Sequence, residues 1–219
     1  MQLYFLIRKE FKLELRRKSV VAGLGLYLFS MVFICYLAFA LKQNFITPLV
    51  WNALFWITIL FTAINTVAKS FIGEKRGLEI YYYAIASPVD ILFSKMVYNF
   101  LLCLLLALTG YSLFALFLNN PIANNWIFFL TLTLASAGFA SSLTLLSGIA
   151  SKANNSNILM AVLSFPVVVS ILLMAIKITK NCMDGLDPSI SYSPLLSLLA
   201  INCMVTAISY LLFPFIWRS

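Results

Sequence analysis

Residues 69–95, KSFIGEKRGLEIYYYAIASPVDILFSK, decide how the chain is read, because they hold seven of its 22 charged side chains between two apolar runs long enough to cross a bilayer. Lys69, Glu74, Lys75, Arg76, Glu79, Asp90 and Lys95 need water, so the stretch is a loop at a membrane surface. Within it Leu78, Tyr82 and Ile85 recur at i, i+4 and i+7, one face of a short helix. Ser87-Pro88 predicts the end of that helix, since the residue before a proline is pushed out of the α region.

The composition agrees with a membrane setting. Of 219 residues, 63% are hydrophobic and 10% charged, with a mean hydropathy of +0.99, far from the roughly 25% charged of a soluble domain. At about 20 residues per helical span the apolar runs accommodate six helices. The fold class expected is an all-α polytopic membrane protein, one permease-like domain over 1–219. It comprises an interfacial helix over 1–18, spans at 19–41, 49–68, 91–118, 126–150, 158–176 and 195–217, and the charged cytoplasmic loop at 69–90 between the second and third. No length is left for a separate soluble domain, so an ATPase, protease or oxidoreductase activity is expected on another chain.

Residues 2–18 place Tyr4, Ile7, Phe11 and Leu15 on one stripe and Lys9, Lys12 and Arg16 on another, as in a helix lying on an anionic lipid surface. No small-residue cleavage site promptly follows the first apolar run, which is expected to remain as a helix. Twelve Lys and Arg fall on the side of this helix and the charged loop, and three (Lys42, Lys177, Lys180) on the other. Positive-inside topology then puts both termini and the loop in the cytoplasm.

The second span carries Asn52, Thr58, Thr62, Asn65 and Thr66, read as interhelical hydrogen bonding rather than a path. Trp51, Trp126 and Trp217 lie near span ends as interfacial anchors. In the fourth span Ala137 and Ser141, and Gly138 and Ser142, have the small-xxx-small spacing that lets helix backbones approach closely. Pro166 is expected to kink the fifth span, and 177–194 to form a solvated connection. Cys182 falls in that connection, the other cysteines in apolar runs, and no pair suggests a disulfide or a metal site.

Several chemistries lack their parts. There is no histidine, no pair of carboxylates at membrane depth and no GxxxxGK[ST] loop, so neither a metalloprotease, an aspartyl intramembrane protease nor a P-loop ATPase fits. The net charge of +8 is spread along span flanks, with no base-reading module, which excludes nucleic acid as a partner. A proton- or ion-coupled carrier would need a titratable group along its path. A membrane device worked by a separate motor fits what remains.

The order of interfacial helix, two spans, charged cytoplasmic helix and four spans resembles the membrane subunit of a type-2 ABC exporter, and in length and span number is similar to the CcmB family, haem exporter protein B of cytochrome c maturation. Glu74, Gly77, Leu78, Glu79, Pro88 and Lys95 match the family's acidic residue, Gly, Leu-Glu, downstream proline and lysine opening the third span. The family usually places Ser or Thr between the glycine and leucine, whereas here Gly77 adjoins Leu78, rotating the helix start by about 100°.

The resemblance implies a homodimer on an ABC ATPase dimer in the bacterial inner membrane. Glu74, Lys75, Arg76, Gly77, Leu78, Glu79 and Tyr82 would form the coupling helix that meets the ATPase. It also implies a haem-handling membrane protein and a haem chaperone as further partners, with ATP on the partner and haem as the transported species. No cofactor is assigned to this chain; a histidine-free subunit fits haem held by a partner, and Tyr, Met or Cys are the ligand types otherwise left. The same parts also fit a permease for a lipid, drug or polysaccharide, or a non-transporting scaffold.

Overall fold

The computed structural model describes residues 2–16, 18–40, 46–67, 69–72, 87–152 and 156–218. Their regular structure is all helical, with no strand among the described residues. Helix α1 spans Gln2–Arg16, α2 Lys18–Ala40, α3 Pro48–Val67, α4 Lys69–Ile72, α5 Pro88–Leu118, α6 Asn125–Ser151, α7 Ser156–Met183 and α8 Pro188–Arg218. Six of them, α2, α3, α5, α6, α7 and α8, are long and apolar enough to cross a membrane.

Helix α6 is the axis of the bundle: 72% of its span is buried in the protein, against 11% of the α2 span. Its composition explains why. Ala135, Ser136, Gly138, Ala140, Ser142, Thr144, Ser147 and Gly148 are small or short and lie buried along it, and small side chains let neighbouring backbones come near on several sides. Helices α3, α4, α5, α7 and α8 all pack against α6. Between the small residues Phe128, Leu132, Phe139 and Leu143 fill the larger gaps.

Local chemistry sets the helix ends. Ser87 caps α5, its Oγ accepting from the Asp90 N–H at 3.1 Å and donating to Asp90 Oδ2 at 2.7 Å, with Pro88 at the first helical position. The dipeptide expected to end one helix thus starts the next. Asn124 caps α6 through Ile127 N–H. Helix α7 closes on Gly185, whose φ of +64° turns the chain so that Leu186 N–H reaches Asn181 O, a Schellman ending.

This last turn changes the expectation for 177–194. Helix α7 runs past Lys177 and Lys180 to Met183, and α8 begins at Pro188, so little more than residues 184–187 connects them. Polar side chains do not end a helix once it leaves hydrocarbon, which is why the apolar run underestimates its length. Cys182 accordingly sits buried in the last turn of α7, not in a loop, and its carbonyl accepts from the N–H groups of Ala123 and Asn124. All four cysteines are free thiols. Pro166 lies inside a continuous α7.

Two further expectations give way to packing. Trp51 is buried rather than interfacial, its indole N–H donating to Asn119 O at 2.9 Å and its ring stacked on Phe55, whereas Trp126 is 79% exposed. Among the second-span polar residues, Asn52 bonds across to Ile176 O, but Thr62 and Thr66 donate to carbonyls of their own helix. A hydroxyl satisfied four residues back is free of any neighbour, so threonine is weaker evidence for a contact than asparagine. An interhelical pair that composition did not single out is Trp56 to Thr179, at 2.9 Å.

Candidate functional site

Residues 73–86, and with them Glu74, Lys75, Arg76, Gly77, Leu78, Glu79 and Tyr82, lie outside the described residues. Both flanks of that segment are described, and they form a dense polar junction. On the N-terminal side, the short helix α4 is held on three helices. Asn99 of α5 donates from Nδ2 to Ser70 Oγ at 3.0 Å and to Thr144 Oγ1 of α6 at 2.7 Å. Ser147 of α6 accepts the Phe71 N–H at 3.1 Å. The Phe71 ring packs on Phe213 near the end of α8, with centroids 5.4 Å apart.

Lys95 lies four residues before Asn99, on the same face of α5. It is 3% exposed and sits about 10 Å along the helix from Pro88. Its Nζ donates to Ser70 O at 3.1 Å, approaches Glu10 Oε2 of α1 at 3.5 Å and stands 5.0 Å from the Phe71 ring centroid. A buried ammonium is costly unless paired and hydrogen-bonded, and these contacts supply a carboxylate, a carbonyl and an aromatic face. Glu10 is in turn paired with Lys9 at 3.2 Å.

The junction also fixes α1. Phe11, on the stripe expected to face lipid, meets Tyr98 of α5 edge to face at 5.2 Å, and α1 packs along α5 and α2. Phe11 therefore packs on the protein, while Phe5, Arg8 and Lys12 remain exposed. Gly148 permits a close approach of α8 at the junction: a Cβ there would lie 2.8 Å from Phe213 Cε2.

The small-residue positions lie in the middle of α6. Gly138 faces two helices at once, since a Cβ would meet Asn202 Oδ1 of α8 at 2.5 Å and Ile171 Cδ1 of α7 at 3.0 Å. Ser142 is 1% exposed and Ser141 8%, while Ala137 is half-buried. Asn202 anchors the contact through Nδ2 to Leu134 O at 2.9 Å. Sequence reasoning missed Asn202, Asn99 and Glu10; for Asn99 the signal was an asparagine one turn beyond Lys95, inside an apolar run.

Elsewhere, the ends of α2, α3 and α5 opposite the junction enclose a cavity of about 170 Å³ lined by Tyr36, Phe39, Trp51, Phe117 and the 119–121 turn. Among the described residues no three His, Cys, Asp or Glu side chains come together.

Against known proteins, residues 1–216 match the model of the family described as CcmB protein. No curated protein and no solved structure matches the chain. A match over nearly the full length, on six apolar helices interrupted by one charged loop whose base is locked into the bundle, places the chain in the CcmB family, membrane components of haem transport in c-type cytochrome biogenesis.

Proposed function

We propose that this chain is the permease subunit of an ABC transporter that exports or delivers haem for c-type cytochrome assembly, driven by ATP hydrolysis in a separate subunit. It works as a homodimer on two ATPase chains in the bacterial inner membrane, termini in the cytoplasm. The segment containing Glu74, Lys75, Arg76, Gly77, Leu78, Glu79 and Tyr82 docks on the ATPase. A haem-handling membrane protein and a haem chaperone complete the assembly, with haem as substrate and no resident cofactor on this chain.

The observation that carries this reading is the fastening of α4 to α5 and α6 through Ser70, Phe71, Asn99, Thr144 and Ser147. A loop whose base is bonded to two membrane helices delivers a push on residues 73–86 into the bundle, whereas a merely solvated loop gains nothing from such bonds. The test is co-purification: Glu79→Lys, or a bulky residue at Gly77, abolishes ATPase recovery while the chain still inserts. Undiminished recovery would sink the docking assignment. Deleting the gene removes covalent haem from c-type cytochromes; normal haem staining in a strain without a duplicate gene would refute the substrate.

A further inference from the structure

The junction joins three elements on one cation. Helix α1 contributes Glu10, α4 contributes the Ser70 carbonyl and the Phe71 ring, and α5 contributes Lys95, whose Nζ touches all of them. With side-chain exposures of 4% for Lys95 and 12% for Glu10, the pair is shielded from water, and shielded charges are screened little. Removing either partner breaks the charged link between α1 and α5, while Glu10 keeps Lys9 and Lys95 keeps the Ser70 carbonyl. The Lys95 side chain is therefore the place where α1 is bonded to the base of the charged loop.

We propose that Lys95 is a positioning residue that makes α1 and α4 one mechanical unit, so that the N-terminal helix is a moving part of the force-receiving element rather than a passive anchor on lipid. The proposal rests on the reading of residues 73–86 as the segment the ATPase drives. Its structural half, the α1 to α4 joint, does not.

Two arms separate these. First, the thermal midpoint of the purified full chain in detergent is measured for Glu10→Gln, Lys95→Met and the double variant. A shared joint makes the effects non-additive, with the double variant melting no lower than the worse single variant. Strict additivity overturns the joint whatever the chain transports.

Second, each variant replaces the native gene, and covalent cytochrome haem is read per amount of chain in the membrane, beside ATPase recovery. The expected result is unchanged ATPase recovery with haem lowered at least about fivefold, the factor typical of a lost coupling. Lys95→Arg, which keeps the cation, retains more haem than Lys95→Met. Glu10→Gln is the milder probe, since it leaves Lys95 its carbonyl and ring. Haem that falls only in proportion to chain level, or that falls for Lys95→Met but not for Glu10→Gln, overturns the proposal. Lost ATPase recovery in Glu79→Lys together with intact haem per chain in both junction variants refutes the joint's role and leaves the docking assignment standing.

Discussion

Replacing Gly138 by alanine tests whether α6 and α8 are set by their backbone approach. The added methyl would lie 2.5 Å from Asn202 Oδ1, while ordinary contact begins at 3.4 Å, so the amide must retreat by about 0.9 Å. It cannot do so freely, because Nδ2 is bonded to Leu134 O. Breaking that interhelical bond costs about 0.6 kcal/mol on average and up to about 1.7, and an off-rotamer asparagine adds about 0.5–1.5. Against this, alanine gains about 1 kcal/mol of helix propensity over glycine if unfolding melts the helix. In an SDS titration the unfolded helices persist and most of that gain cancels, leaving a net loss of about 1–3 kcal/mol.

The decisive measurement is therefore a cycle with Asn202→Ala, in which propensity cancels altogether. Once the amide is gone only the Ile171 terminus, 3.0 Å away, opposes the methyl, and it can rotate. Gly138→Ala is then expected to be neutral or stabilising, with a coupling of about 1–3 kcal/mol between the sites. A coupling below about 0.5 kcal/mol would show that the interface yields to the methyl without using Asn202 at all. The Asn202 Oδ1 atom, buried without a hydrogen-bond partner, faces the Cα–H that the methyl replaces, a weak contact that recurs where helices touch closely.

Asn99→Leu removes the bridge from α5 to both Ser70 and Thr144 and leaves the buried Thr144 and half-buried Ser70 hydroxyls short of a partner; a loss of about 1–3 kcal/mol is expected in the same titration, and ATPase-coupled function should fall further than for Thr144→Val, which severs one branch. Trp56→Phe and Thr179→Val each break the bond between α3 and α7, so each should cost up to about 1.7 kcal/mol and the pair little more than the worse one. An apolar maleimide should label exposed Cys203 well before Cys103 and Cys182, which are 4% and 2% exposed; mass spectrometry of the labelled peptides gives the order.

The membrane helices were legible because a run of some 20 apolar residues has few other uses, and the charged loop stood out by contrast. Less visible was anything defined by a partner far along the chain. Trp51 near a span end reads as an interfacial anchor until Asn119, 68 residues away, is seen to accept its indole N–H. Lys95 reads as a charge at the mouth of a span until Glu10, 85 residues earlier, is seen beside it together with Ser70 and Phe71, contacts that make its burial tolerable. The true end of α7 was written in the chain: Gly185 and Asp187-Pro188 are a helix stop and a helix start two residues apart. Hydropathy drew attention away from them, because Lys177, Lys180 and Asp184 lower the apolar signal without disfavouring a helix.

That turn has a consequence for the face opposite the termini. At 1.5 Å per residue α7 and α8 are about 42 and 46 Å long, against about 30 Å of hydrocarbon, and a tilt near 20° absorbs only about 3 Å of either. The surplus, marked by Lys177, Lys180, Asp184 and Asp187, must stand above the lipid tails as a stiff helical ledge, propped from the side by Ala123 and Asn124 bonded to Cys182 O. Such a ledge projects exposed Leu186, Ile190 and Tyr192 at a fixed height and spacing. Any molecule reaching that face meets a relief already rigid, and contact with it requires no further ordering of the chain.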